Sequence, residues 1–209
     1  MNVNAVIGVV LAYILGSFPS AYVITRWRTG KDIRKLGGGN VGALNTFREV
    51  GVVPGLTVLF ADIAKGAAAT AIVRWLLDSP PLVVMLAGLA VIVGHNWSLF
   101  LKFTGGRGMA AALGVLAVTL TSYGYTNLFL ILLGIIAIPL VITQNVSLSS
   151  AIGVFFLPLV VWLGTQSALA TILTVLLGTI MGLKYLPAAR QAWSREPNKR
   201  NFIFDRLRR

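Results

Sequence analysis

VNAVIGVVLAYILGSFPSAYVIT, Val3 to Thr25, contains no charged side chain. An unbroken apolar run of roughly 20 residues is what a helix needs to cross the hydrocarbon core of a bilayer. Reading outward from it, similar runs recur at about Val52–Leu76, Leu82–Leu101, Met109–Tyr123, Leu128–Thr143, from the polar cluster Gln144–Ser150 to about Gly164, and Ala168–Leu186. The whole chain of 209 residues is 56% hydrophobic and 11% charged, whereas a soluble domain carries roughly 25% charged residues. The runs are continuous and do not alternate, which argues against a membrane β-barrel. The expected fold is all-α: a polytopic integral membrane protein of about seven transmembrane helices. It forms a single membrane domain over 1–209, with a polar basic tail from about 188 to 209.

The formal charge of +12 sits in the connections and the tail. Basic residues fill the connections after the first and third runs and the C-terminal tail. Those after the second, fourth and sixth carry none, although Arg74 approaches the second from within its run. Cytoplasmic loops are enriched in Lys and Arg, so the N-terminus is expected outside and the C-terminus in the cytoplasm. Nucleic acid is not expected as a partner, because the charge follows membrane margins and no folded basic face. The chain has no cysteine, one histidine and six acids, so neither disulfides nor a protein-built metal centre is expected. No cleaved signal peptide is expected either, since the first run lacks a basic leader and is too long.

Between the first two runs lies KLGGGNVGALNTFR, Lys35 to Arg48. Glycines allow successive backbone N–H groups to converge on an anion. Asn40 and Asn45 add amide donors, and Arg48 adds a planar, permanently charged fork. A flexible basic connection is the competing reading. TGGRG, Thr104 to Gly108, forms a second glycine-rich turn with a cation at its centre, directly before a helix expected to begin near Met109. A helix N-terminus so placed suits an anion. Both stretches, together with Ser147, Ser149 and Ser150, fall on the expected cytoplasmic face, which points to one composite anion site there.

Other polar residues leave two readings each. Asp62 and Lys65 share a helix face and either pair with each other or serve a site. His95 is either a structural hydrogen-bonding group or a base. Pro19, within GSFPSAY, bends the first run, and Gly16, Ser17 and Ser20 allow close helix contact or hydrogen bonding. The serines near 147 either cap the sixth helix or meet a ligand. The sequence shows no Ser-His-Asp set, zinc motif or Walker loop. Chemistry here would rest on positioning and charge stabilisation, as in transfer between two phosphate-bearing molecules.

Several motifs, in order over nearly the whole length, resemble the bacterial acyl-phosphate-dependent glycerol-3-phosphate acyltransferase family, the PlsY type. GSFPSAY (Gly16–Tyr22) is similar to GSxPxxY, and LGGGNVGALNTFREVG (Leu36–Gly51) to LGSGNxGATNxxRxxG. DIAKG (Asp62–Gly66) matches DxxKG, GHNWSLFLKFTGGRG (Gly94–Gly108) resembles GHxxPxFLxFxGGKG, and NVSLSS (Asn145–Ser150) resembles xVSLxS. The family serine is Gly38 here, its threonine Leu44 and its lysine Arg107. The tail, SREPNKRNFI, carries Asn198 and Asn201 but lacks the family histidine.

The resemblance implies transfer of a fatty acyl group from acyl phosphate to the 1-hydroxyl of glycerol-3-phosphate, giving lysophosphatidic acid and phosphate. It implies a bacterial cytoplasmic membrane protein whose site faces the cytoplasm, among membrane lipids, with no metal or soluble cofactor. The oligomeric state stays open, a monomer sufficing. Asn40, Arg48 and Arg107 are the expected catalytic residues. Substrate-binding residues are expected at Gly38, Gly39, Gly42, Asn45, Ser17, Lys65, His95, Gly105, Gly106, Ser147, Ser149 and Asn201. The departures keep open a paralogue with another acceptor or a non-catalytic binder of lipid phosphates. A small transporter is the alternative from another class, but no repeat between the halves is evident and the polar motifs gather at one face.

Overall fold

The computed structural model describes residues 3–195 and Ile203; Asn198, Asn201 and most of the tail beyond 195 lie outside the described residues. Among them the chain is helical, and the one strand-like pairing is an isolated bridge between Ser98 and Thr104. It divides into two compact units, Met1–Ser122 and Tyr123–Arg209.

In the first unit the opening apolar run is two helices, α1 (Val3–Ser17) and α2 (Ser20–Thr29), interrupted at Phe18–Pro19. Proline has no N–H to give to a preceding carbonyl and its ring crowds the turn before it, so the helix ends there. A short helix α3 (Ala43–Glu49) precedes α4 (Val52–Ala71), whose last residues widen into a π-helical turn at Ile72–Leu76. Then come α5 (Pro81–Asn96) and α6 (Met109–Ser122).

Two helix crossings set this unit's geometry, α1 on α5 and α4 on α6. At the first, Gly16 lies on the Val91 carbonyl and Gly94 on the Tyr13 carbonyl. At the second, Gly66 lies on the Ala111 carbonyl and Gly114 on the Ile63 carbonyl. A Cβ at any of the four would overlap the opposing backbone. Small residues permit such close approach, which within lipid brings van der Waals contact that no hydrophobic driving force supplies. An apolar cluster, Ala21, Ile33, Val41, Val58 and Leu101, anchors the glycine-rich stretch beneath α2 and α4.

The second unit contains α7 (Thr126–Thr143), α8 (Val146–Thr165) and α9 (Ala168–Arg195), with α8 packed against both neighbours. Outward-facing Val141, Phe155 and Leu163 are 78%, 77% and 66% exposed. Apolar surface on that scale suits hydrocarbon, not water. By length and composition, five helices can cross a membrane: Val3–Thr29, Val52–Leu76, Thr126–Thr143, Val146–Thr165 and Ala168–Gln191; Pro81–Asn96 and Met109–Ser122 are shorter apolar helices.

Local expectations need correcting. The Lys35–Arg48 stretch is not loop throughout, since its second half is α3. The third run stops being α-helical at Asn96, and Trp97–Phe103 folds into a 3₁₀ turn at Leu99–Leu101 beside the Ser98–Thr104 bridge. The last run does not end before Pro187; α9 passes through that proline to Arg195. Helices in or near a membrane accommodate proline where neighbouring groups satisfy the carbonyl it releases.

Candidate active site

The glycine-rich stretch is held in shape by its own second asparagine. Buried Asn45 donates from Nδ2 to the carbonyls of Leu36 (3.1 Å) and Asn40 (3.0 Å), with a longer contact to that of Ile33 (3.4 Å), and its Oδ1 accepts from the Gly38 N–H (3.2 Å). Its amide is therefore turned on the stretch itself. Gly37 and Gly39 adopt left-handed conformations, φ 51° and 68°, which a side chain would resist. Asp32 opens the segment as cap of the 3₁₀ turn Ile33–Lys35, accepting from the Arg34 N–H. Hydrogen bonding from the Arg34 guanidinium holds the Asp32 carboxyl below the usual carboxylate range. The same guanidinium lies 5.4 Å from the centre of the Tyr22 ring.

The second turn meets the first stretch directly. Gly106 donates its N–H to the His95 carbonyl (3.0 Å), and a Cβ on it would collide with the His95 ring and the Val41 carbonyl. Gly105 is equally confined by the carbonyls of His95 and Asn96. These glycines are required by close packing of the turn onto the end of α5 and onto the glycine-rich stretch.

Beneath that meeting point lies a buried charge cluster. Asp62 on α4 is 2% exposed. Its Oδ1 accepts a hydrogen bond from the Ser20 hydroxyl and an ion pair from Lys65 Nζ at 2.9 Å, and it lies 3.7 Å from His95 Nδ1. Lys65 also donates to the Phe18 carbonyl (2.9 Å) at the α1–α2 interruption. Opposite charges withdrawn from water are tolerable only when paired and hydrogen-bonded in this way. The Ser98 hydroxyl donates to the Ser17 carbonyl at 2.5 Å. Ser17, Lys65, His95, Ser98, Val41 and Gly105 all line one small cavity above Asp62.

Of the residues expected at the site, the structure thus gathers Ser17, Lys65, His95, Gly105 and Gly106, with Asn40 and Gly42 beside Val41 in the adjoining stretch. Gly42 is buried against the Asn40 amide. Arg48 is exposed on the last turn of α3, Arg107 is half-buried just before α6, and Gly38 is exposed with open space about its Cα. Ser147 and Ser149 lie in the second unit. There Asn145 caps α8, accepting from the Leu148 N–H at 3.0 Å, and Ser149 returns its hydroxyl to the Asn145 carbonyl at 2.9 Å. The expectation that the serines cap α8 is corrected: the helix begins at Val146, so Ser147, Ser149 and Ser150 lie inside it and Asn145 holds the cap position. Ser98 was not anticipated from the sequence, and it carries no spacing or charge signal that sets it apart.

The sequence profile of the family described as Glycerol-3-phosphate acyltransferase matches residues 6–193. The chain belongs to the glycerol-3-phosphate acyltransferase family. Family relatives include "Glycerol-3-phosphate acyltransferase 1" of Dehalococcoides mccartyi, 45% identical over 95% of this chain and 96% of the relative. "Glycerol-3-phosphate acyltransferase 2" of Moorella thermoacetica is 51% identical over 53% of this chain and 56% of the relative. Among solved structures, the crystal structure of PlsY (YgiH), an integral membrane glycerol 3-phosphate acyltransferase, in its glycerol 3-phosphate form, superposes with a TM-score of 0.79. That protein is 28% identical, and the match covers 91% of this chain and 92% of its own. This member of the acyltransferase family is a multi-pass membrane protein.

Proposed function

We propose that the chain transfers a fatty acyl group from acyl phosphate to the 1-hydroxyl of glycerol-3-phosphate at the cytoplasmic face of a bacterial inner membrane. The observation that carries this reading is the meeting of the two glycine-rich stretches, at Val41 and Gly106, above a small cavity lined by Ser17, Lys65 and His95. The names of the relatives supply the acceptor and the acyl chemistry. Arg48 and Arg107 supply permanent positive charge for phosphate groups, with Asn40 in the first glycine-rich stretch. Arginine holds a phosphate through two parallel hydrogen bonds, fixing direction as well as charge.

The reaction itself needs little from a protein nucleophile. The acceptor oxygen forms a bond to the acyl carbon, the carbonyl electron pair moves to its oxygen, and collapse expels phosphate with the electrons of the broken C–O bond. The hydroxyl proton leaves on the released phosphate. Acyl phosphate is already activated, so the protein's task is to align the hydroxyl and to stabilise charge.

The experiment is lysophosphatidic acid formation by purified protein in nanodiscs, given acyl phosphate with and without glycerol-3-phosphate. Formation dependent on glycerol-3-phosphate is the expected result. Arg48→Ala is expected to lower it at least about 100-fold, the loss of two charge-assisted hydrogen bonds of ~1.5–3 kcal/mol each, with the thermal transition retained. Wild-type rates in that variant would remove Arg48 from the mechanism, and no acceptor-dependent product in the wild type would remove the reading.

A further inference from the structure

The cavity between the Pro19 interruption and the Gly105 turn has unspent hydrogen-bond donors. Ser17 is fully buried, and its hydroxyl has no hydrogen-bond partner among the described residues. A buried hydroxyl left unpaired is costly and calls for an explanation. Lys65 has three N–H groups to give, and two are directed at Asp62 and the Phe18 carbonyl, both at 2.9 Å. Both residues line the cavity, which has room for about one water-sized atom. Ser20 and Ser98 line it too, but their hydroxyls are given to Asp62 and to the Ser17 carbonyl. What remains is a neutral donor and a cationic donor around room for one oxygen atom.

We propose that this niche receives the carbonyl oxygen of the acyl donor, and that Ser17 and Lys65 stabilise the negative charge it gains during transfer. The inference rests on the acyl-transfer reading above and assigns the reacting carbon a place in it, next to the Gly105 turn. As the acceptor hydroxyl bonds to the acyl carbon, the carbonyl π pair becomes a lone pair on oxygen, held by the two donors. When the pair returns, the bond to phosphate oxygen breaks and phosphate departs with its electrons and the hydroxyl proton. Donors fixed before the reaction act without reorganising as the charge develops, which is why two suffice. Asp62 and the Phe18 carbonyl fix the ammonium, and the α1–α5 crossing fixes Ser17.

Ser17→Ala tests it, in nanodiscs with palmitoyl phosphate and glycerol-3-phosphate, once the wild type has been shown to make lysophosphatidic acid. The expected result is a fall in kcat of about 100-fold or more, the usual cost of removing one such donor. KM for glycerol-3-phosphate should stay within about two-fold, because the lost interaction is made only as charge develops. The thermal transition should not fall, since the hydroxyl makes no hydrogen bond among the described residues. A kcat within about three-fold of wild type would overturn the proposal, as would a loss expressed in KM alone, which would mark the niche as a water site or an acceptor subsite. Should the alanine variant fail to fold, Ser17→Cys is read by the same criteria, the thiol being a weaker donor at the same place. A wild type without acyl transfer is a separate failure, that of the functional reading.

Discussion

Gly38 is the residue where this chain departs most plainly from the serine of the family motif, and the structure makes that departure reversible. A Cβ there would have no atom within 4 Å, and the position has no positive φ that would penalise a side chain. Its N–H stays bound to Asn45 Oδ1 whatever the side chain. Gly38→Ser is therefore expected to leave the thermal transition unchanged while adding one hydroxyl at the edge of the glycine-rich stretch. A hydrogen bond to a charged phosphate is worth ~1.5–3 kcal/mol, so KM for glycerol-3-phosphate should fall about ten-fold. Unaltered kinetics would show that position 38 faces away from the acceptor. The sequence made the glycine-rich character and the charge of this stretch legible, but not the division of labour within it. Asn45 and Asn40 look alike in a string of letters, yet Asn45 spends its amide on three backbone groups of its own stretch, with a longer contact to the Ile33 carbonyl. Gly105 and Gly106 read as flexible anion-binding residues, whereas the packed ring of His95 is what excludes a side chain from Gly106. Such reasons are tertiary, and no local pattern encodes them.

At the scale of elements, the helix interruption at Pro19 and the Asp62–Lys65 pair are one device. Proline alone announces a bend, and the three-residue spacing alone announces a possible pair. Neither indicates that the lysine reaches across from α4 to the Phe18 carbonyl, or that the aspartate reaches back to Ser20 at the start of α2. Asp62 also suits that place electrostatically, since the first turn of a helix carries partial positive charge. Removing one charge should be worse than removing both. Asp62→Asn leaves the Lys65 ammonium buried without its counter-charge and should cost about 3–5 kcal/mol. Adding Lys65→Met should recover a large part of that stability, measured by thermal unfolding in detergent. Acyl transfer should stay low in both proteins, because the double variant lacks the cationic donor of the niche. Recovery of turnover together with stability would reduce the pair to a structural fastening. The amphipathic logic of soluble helices gave no help in reading these elements, because nearly every face is apolar. What separates the crossing faces from the lipid faces is the placement of small residues, Gly16 and Gly94 on one crossing and Gly66 and Gly114 on the other.

For the whole molecule the open quantity is which side of the membrane each end occupies. Apolar runs revealed the helical class because a bilayer demands length and continuity of each spanning helix, a constraint written directly in the sequence. They did not reveal where α5 ends or that α9 continues beyond Pro187, since those limits depend on neighbouring backbone. Five full-length helices and two shorter apolar ones make an odd number of crossings if all seven span, which puts the termini on opposite sides. The exposed cations Arg26, Arg28, Lys31, Arg34 and Lys35 lie between α1 and α4, and Lys102 between α5 and α6. Beyond Arg74, which lies within the π-helical turn that ends α4, the connection between α4 and α5 contains no lysine or arginine, and that between α6 and α7 contains none. Positive charge near helix ends is retained on the cytoplasmic side, so the C-terminus is expected there and the N-terminus outside. The chain contains no cysteine, which makes the test direct: a single cysteine is introduced in place of Arg209 or of Asn2, and intact cells are treated with a membrane-impermeant maleimide. The Asn2→Cys protein should react in intact cells and the Arg209→Cys protein only after lysis. The reverse pattern would invert the topology and carry the glycine-rich stretches and Arg107 to the outer face, where a cytoplasmic phosphate ester could not reach them. Reaction of both before lysis would mean an even number of crossings, leaving one of the two short helices, Pro81–Asn96 or Met109–Ser122, as the segment that enters the membrane without spanning it.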